Sequence, residues 1–379
     1  MSLMDLLGLT TRGIGECIIT IGGSEIAEFY PNLQSSSITL NCQDSSEATL
    51  SFVALRDDKG NWPLLEDNRF HTWKKVEIIV VFSNQETPLF SGYIREIKTD
   101  IAEQGKVATI SLICQDSFIA MDRQSINKNW EENRESLDIV KEIIRPYGIK
   151  LETSVSSTPA DNLQQNKTDY RFIREIANKN KYECYLRDNA AGNKKLYMGP
   201  AQTSATPSEQ KIMVRAGRLT NCLSFDVSFD GYLPDSISTA NTPKTGQEIE
   251  QSNNPPQLTP LGTQTTDSSA SGLNPFEWAS PPCHGNNQET AEAQARGEAE
   301  RQSFKLTAIG RLNGTVYGAL LMPGSMVSVA GAGINNGKWY VDSTTHNFSS
   351  GGYFVDFELI RNASAGDENC KKHVLAGIL

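Results

Sequence analysis

The sequence predicts a mainly β, α+β protein: two similar small β-barrel domains in one chain, an α+β domain between them and a long polar linker. Three observations carry this. First, Pro323–Asn362 splits into three strand-like runs cut by glycines at Gly331-Ala332-Gly333, Gly337 and Gly351-Gly352. In the last run Tyr353, Val355, Phe357 and Leu359 alternate with Phe354, Asp356 and Glu358, the period-two pattern of a strand with one face on a core. Gly351 and Gly352 are expected to supply the positive φ of a hairpin turn. Second, the same layout occurs earlier, in Lys75–Phe82, Phe90–Lys98 (around Gly92) and Gly105–Cys114. Setting Gly105 on Gly352 puts Ala108, Ile110 and Leu112 on Val355, Phe357 and Leu359. Two unrelated amphipathic hairpins would align as well, so pattern alone leaves duplication and coincidence both open. Third, the period changes to a helical one beyond Asp116 and returns to two at Thr220.

Residues 1–115 form the first predicted barrel. Residues 1–12 are expected to be ordered only by a partner. Glu16–Gly22, Ser36–Asn41 and Ala48–Leu55 read as strands, with Leu50, Phe52 and Ala54 sharing a face. Arg56–His71 is a polar excursion carrying Trp62-Pro63. With the three runs through Cys114, six short strands stand at the spacing of a small barrel or sandwich.

Residues 116–219 are the predicted α+β domain. Ser136 is placed to cap a helix whose stripe is Leu137, Val140, Ile143, Ile144 and Tyr147, closed by Pro146 and Gly148. Ile149–Glu152 reads as a short strand. Thr168 or Asp169 caps a second helix with Phe172, Ile173, Ile176 and Ala177 on its apolar face. Its polar side, Arg171, Arg174, Glu175 and Lys179, reads as solvated, a subunit contact being the alternative. Tyr182–Arg187 and Lys195–Met198 read as strands.

Thr220–Phe229 lies in a returning strand segment, 220–235. Residues 236–285 fall to Thr, Ser, Asn, Gln, Pro and Gly, with too little apolar area to offset their ordering entropy: a polar linker, or a loop that orders against something else, with Phe276 and Trp278 as anchors. Residues 286–362 hold an Ala-rich helix, Gln288–Phe304, and the second barrel. The tail 363–379 is expected to fray, although Val374–Leu379 is apolar enough to dock.

The totals exclude several functions. The chain has 379 residues, 38% of them hydrophobic, and a mean hydropathy of −0.40. No run approaches the roughly 20 apolar residues of a membrane helix, so no membrane insertion is expected. The start MSLMDLLGLTTRG lacks the pattern of a secretory signal, which points to the cytoplasm or another export route. A net charge of −10 argues against nucleic-acid binding. Seven cysteines form no C-x-x-C pair and four histidines show no ligand spacing, so no metal site is expected. Cys114, Cys184 and Cys222 read as buried thiols. Cys283 and His284 are adjacent in an extended segment and point to opposite faces, which argues against a nucleophile–base pair. The acidic pairs Asp57-Asp58, Glu131-Glu132 and Asp356/Glu358 read as solvated, with nothing fixing a glycosidase separation. No hydrolase, zincin or phosphate-loop motif occurs. No catalytic residue and no cofactor is expected.

Three segments carry a resemblance. TDYRFIREIANKNKYECYLR, with Asp169, Tyr170, Phe172, Tyr182 and Tyr185, resembles the helix and strand of the phage late control gene D family. These are the hub proteins of contractile-tail baseplates, similar to the front half of type VI secretion spike proteins. RLNGTVYGALLMPGSMVSVAG, with Pro323 and Gly324, resembles that family's approach to its closing segment. GKWYVDSTTHNFSSGGYFVDFELIRN is similar to the closing segment itself at Gly337, Trp339, Val341, His346, Phe348, Gly352 and Tyr353.

The resemblance implies a non-enzymatic structural protein: a homotrimer whose six barrels form a ring. That ring would join a sixfold tail tube to a threefold spike and would line a channel that passes DNA or effector cargo without specific binding. It implies other baseplate components as neighbours, assembly in the bacterial cytoplasm, and a place in a virion tail or injection particle. It also gives His346 a structural hydrogen-bonding role. A separate spike protein is expected, because no spike-type oligonucleotide/oligosaccharide-binding fold or needle follows the hub. The competing readings are a tail-tip cell-wall hydrolase and a carbohydrate-binding tail adhesin.

Overall fold

A computed structural model describes residues 16–82, 85–101, 107–130, 134–155, 163–188, 194–242, 250–267, 272–280, 283–284 and 288–365. The expectations for residues 1–12 and for Val374–Leu379 lie outside them.

Alternating apolar residues build the first set of strands: β1 (Glu16–Ile21), β2 (Ser24–Glu25), β3 (Leu33–Asn41), β4 (Glu47–Leu55), β5 (Lys75–Phe82), β6 (Gln85–Ile101) and β7 (Val107–Asp116). Ile38, Leu50, Phe52, Ile110 and Leu112 point inward and are buried. The six longer strands pair antiparallel in the order β3-β4-β7-β6-β5-β1.

The middle domain follows as α1 (Phe118–Met121), β8 (Ser125–Asn129), α2 (Ser136–Ile144), β9 (Lys150–Glu152), β10 (Gln164–Thr168), α3 (Asp169–Lys179), β11 (Glu183–Asp188) and β12 (Lys194–Gly199). The stripes of α2 and α3 close on Cys184, Leu196 and Met198 in a core of their own. Thr168 caps α3 by accepting from the Arg171 amide. Ser136 does not cap α2; it is the first helical residue, and Glu135 holds the cap position without a side-chain bond. Gly148 closes this segment at φ +70°.

The third part holds β13 (Lys211–Met213), β14 (Cys222–Phe229), β15 (Ser236–Thr242), β16 (Glu250–Asn254), β17 (Gln264–Thr265), β18 (Glu277–Ala279), β19 (Cys283–His284) and α4 (Gln288–Gln302). After these come β20 (Leu306–Asn313), α5 (Gly314–Tyr317), β21 (Met326–Ala330), β22 (Gly337–Ser349), β23 (Gly352–Arg361) and β24 (Ala363–Ser364). Six of these strands pair as β14-β20-β23-β22-β21-β13. This is the path of the first set, with each strand at the same place in its own chain order. Both sets also carry a bulge at one site, between Ile94 and Glu96 in β6 and between Val341 and Ser343 in β22. The sets differ at one end: β13 runs parallel to β21, whereas β1 runs antiparallel to β5.

The bulges fix the correspondence between the sets. Ile94 faces Cys114 and Val341 faces Leu359, so Cys114 matches Leu359, and Ala108, Ile110 and Leu112 match Tyr353, Val355 and Phe357. The alternation-based alignment is out by two positions along the strand, a shift that leaves every side chain on its own face. Of the two glycines assigned to the last turn, only Gly352 has positive φ, at +114°.

Neither set closes into a barrel among the described residues; both lie in one 13-stranded sheet. The cause is a mismatch of strand length. β22 has 13 residues and β21 only 5, so Ser343–Ser349 outruns its neighbour and leaves main-chain groups unpaired on that side. β3 fills the vacancy, with Ile38 opposite His346 and Ser36 opposite Phe348. The inner faces of both sets merge into a single hydrophobic core instead of two.

The polar segment 236–285 is not a bare linker. β15 pairs with β16, β18 and β19, so main-chain bonds supply the order that its side chains cannot. α4 lays Ala295 and Ala299 against Ile237. The stretch expected to fray from Ala363 begins instead with β24, paired to β17. At the root of this insert Lys305 and Asp235, only 4% and 8% exposed, form an ion pair, and Asp235 also accepts from the Phe276 amide at 2.9 Å. Asp235→Ala strands a buried cation and is expected to cost about 3 kcal/mol in denaturant unfolding. Asp235→Ala with Lys305→Met should recover much of that loss; a single variant as stable as the parent would remove the pair from the account.

Candidate functional site

The residues singled out in the sequence fall into two groups. The first meets where the two strand sets and the middle domain touch. β11 is buried on both faces: Cys184 and Leu186 face the middle core, while Glu183, Tyr185 and Arg187 face the junction. Tyr185 packs with Cys42, Tyr197, Met326 and Tyr340. Arg187 donates to the Tyr185 hydroxyl and, at 3.0 Å, to the Gly324 carbonyl. Gly324 has φ +75°, and a Cβ built there would lie 1.8 Å from the Tyr185 hydroxyl oxygen. The Pro323-Gly324 pair is therefore a docking point for the middle domain. Tyr170 donates to Asp44 in the β3–β4 turn at 2.6 Å, a second tie between the same parts. Asp169 is buried and accepts from Tyr147 at 2.8 Å and Gln165 at 2.7 Å. Phe172 is buried in the middle core and Tyr182 packs against it.

Glu183 was not foreseen as a special residue. Only 4% exposed, it accepts from the Tyr340 hydroxyl at 2.6 Å. Burial, with the Asp342 carboxylate nearby as a lesser cause, pushes its pKa up to about 8 against the lowering effect of the Tyr340 bond. Asp342, less buried than Glu183, is pushed up to about 6, chiefly by desolvation. Main-chain bonds knit the same spot: Cys184 to Cys42 at 3.0 Å and Cys42 to Asp342 at 3.2 Å. The signal that could have found it is the alternation Glu-Cys-Tyr-Leu-Arg, a strand with no face made for water. A cleft of about 390 Å³ beside the junction is lined by Phe90, Asp116, Arg187, Gln202 and Met322 among others. Arg187 is already engaged there, and no nucleophile–base pair faces the space.

The second group stiffens the closing hairpin. Trp339 is fully buried and donates to the Asn335 carbonyl at 2.9 Å, and Val341 lies beside it in the core. Gly337 has φ +118°. His346 is fully buried with the Tyr353 hydroxyl 2.8 Å from Nδ1 and the Leu321 carbonyl 3.2 Å from Nε2. A carbonyl only accepts, so Nε2 carries the proton and Nδ1 accepts from Tyr353. Burial holds the ring neutral, with its pKa lowered to about 4. This histidine is fully bonded inside the protein. Among the described residues no cluster of three or more His, Cys, Asp or Glu is placed to hold a metal ion, and no helix is long and apolar enough to cross a membrane.

The exposed features of the main sheet are its edges. Among the described residues β14 pairs on one side only, with β20, and Leu223 (58% exposed) and Phe229 (56%) stand open along it. On β6, Arg95–Ile101 outruns β5 as Ser343–Ser349 outruns β21, and its far side has no partner among the described residues. β14 corresponds to β3, and the free part of β6 to the part of β22 that β3 covers.

This fold is shared with solved tail proteins. The 43 kDa tail protein of prophage MuSo2 from Shewanella oneidensis is 15% identical with a TM-score of 0.64, over 92% of this chain and 98% of that one. The tail protein from Neisseria meningitidis MC58 is 15% identical with a TM-score of 0.64, over 93% and 97%. The Escherichia coli c3393 protein, a type VI secretion component described as similar to T4 tail proteins gp27 and gp5, is 10% identical with a TM-score of 0.56, over 93% and 79%. The molecule thus has the fold of phage-tail and type VI secretion proteins. Residues 12–350 match the family described as the Alg8 N-terminal domain, and the chain belongs to that family. No curated protein matches the sequence.

Proposed function

We propose that the chain is the structural hub of a contractile phage tail or a phage-derived contractile injection system, as its resemblance to the late control gene D family implies. Three copies join a sixfold tail tube to a threefold spike, beside other baseplate components. The hub has no catalytic role; cargo passes through its channel without specific binding.

One observation carries this reading. Within the chain, the edge strand of the first set pairs with the overhang of the second. The equivalent edge strand β14 and the equivalent overhang on β6 have no partner among the described residues. β14 of one copy fits on β6 of the next in the register that β3 uses on β22. Ile38 corresponds to Val227 and His346 to Thr99, so Val227 would face Thr99, with Phe229 opposite Ile97 and Phe225 opposite Ile101. Such a contact is heterologous, uses each edge once per copy and closes only as a ring. Three copies then present six alike sheet segments, which is what a sixfold tube requires.

The test is the mass of the chain in solution, together with a disulfide between Thr99→Cys and Val227→Cys. Three copies and a cross-linked ladder ending at three are expected. Val227→Pro, which cannot present a paired edge, should leave monomers. A monomeric parent, or a lytic band from the purified chain on a cell-wall zymogram, would overturn the hub reading.

A further inference from the structure

The insert between β14 and β20 carries an aromatic trio that the hub reading leaves without a role. Tyr232, 77% exposed, meets Phe276 with ring centres 5.2 Å apart, and Phe276 meets Trp278 at 6.0 Å. The trio is held on ordered backbone: Asp235 donates to the Phe276 carbonyl at 2.6 Å, and Ile237 pairs with Trp278. Rigid, part-exposed aromatics of this kind lose little entropy on contact and dominate interfaces.

On the other strand set, Trp73 is 46% exposed with φ +68°, and the Arg123 guanidinium lies 4.3 Å from its ring centre. Its place in the fold is equivalent to that of Gly324. The Trp73 amide bonds the Ile94 carbonyl as the Gly324 amide bonds that of Val341, and both residues are left-handed. Gly324 is covered by Tyr185 and Arg187, which lie beside Cys42, just past the end of β3. Just past the end of β14, in the equivalent place, stand Tyr232, Phe276 and Trp278.

We propose that the aromatic trio of one copy docks on Trp73 and Arg123 of the next copy, as Tyr185 and Arg187 dock on Gly324 within the chain. This rests on the ring of copies proposed above and assigns its second contact. Charge supports the choice of a second copy as occupant. Asp230 and Glu277 flank the trio, while Lys74 and Arg123 flank Trp73; all four are exposed, acidic on one surface and basic on the other. The contact places a guanidinium and an indole against three aromatic rings, a cation–π arrangement.

The test oxidises the full-length chain carrying Trp73→Cys and Tyr232→Cys, beside the Thr99→Cys, Val227→Cys pair. A ladder ending at three from both pairs is expected. Tyr232→Ala, at a position too exposed to disturb the core, should raise the concentration at which the assembly dissociates at least tenfold. Cross-linking at Thr99–Val227 alone, with Tyr232→Ala assembling like the parent, keeps the ring, assigns the trio to some other partner and overturns this proposal. Cross-linking at neither pair removes the ring and the docking together.

Discussion

Glu183→Gln is expected to stabilise the protein above neutral pH and to flatten its stability profile between about pH 5 and 8. The Glu183 carboxyl titrates near 8 in the fold against 4.5 when free. An acid with a raised folded pKa stays protonated in the fold while the unfolded chain ionises. Stability therefore falls as pH rises from 4.5, and the loss is complete once pH passes the folded value. At about 1.36 kcal/mol per unit, the full loss is on the order of 5 kcal/mol. Glutamine keeps an acceptor for Tyr340 and removes the charge. Denaturant unfolding of parent and variant at pH 5 and pH 8.5 reads the difference directly. A variant whose advantage does not grow between those two values would show that Glu183 ionises freely, and the buried junction would need redrawing. The acid limb has a different source: His346, neutral in the fold with its pKa near 4, favours unfolding as pH falls below 6.5.

Gly324→Val should detach the middle domain from the sheet. Two costs act at one atom. Valine at φ +75° pays left-handed strain, and its Cβ would lie 1.8 Å from the Tyr185 hydroxyl oxygen and 2.7 Å from an Arg187 nitrogen. Together they come to roughly 3–5 kcal/mol. Limited proteolysis should then cut the segment after β12, and the denaturation midpoint should fall. Adding Tyr185→Ala to Gly324→Ala should recover the steric part and leave the backbone part. Trp73 shows that the backbone alone tolerates a side chain at this place in the fold; the contact above it makes glycine necessary. Full stability of Gly324→Val would mean that Tyr185 and Arg187 do not sit on this turn.

Much of the architecture was legible because strand alternation follows burial. The inward residues of β4, β7 and β23 are those that the period-two pattern gave, and the stripes of α2 and α3 meet in the middle core except for Tyr147, which lies past the end of α2 and is exposed. The duplicated layout was legible too, but its register was not. A pattern of period two looks the same after any even shift, and bulges, which belong to the backbone, settle the offset. Ser136 was misplaced as a cap by one position, within the ordinary spread of helix ends.

Chemistry at the site was harder to see. Tyr182–Arg187 was read only as a strand, and contact among Cys42, Glu183 and Tyr340, distant in the chain, is what makes the Glu183 side an interior. The resemblance implied a structural hydrogen-bonding role for His346, and its partners Leu321 and Tyr353 are supplied by the fold.

The sequence by itself determined which residues avoid water, where the apolar strands and the helices run, and that one layout recurs in pattern, with duplication and coincidence both open. Side-chain hydrophobicity and periodicity are local properties, so a single chain displays them. The tertiary structure alone decided that the two sets join through β3 and β22, that they share one core, and that segment 236–285 gains strands. Those outcomes rest on main-chain hydrogen bonds and strand lengths, which nearly every residue type satisfies equally and which therefore leave little mark in the sequence.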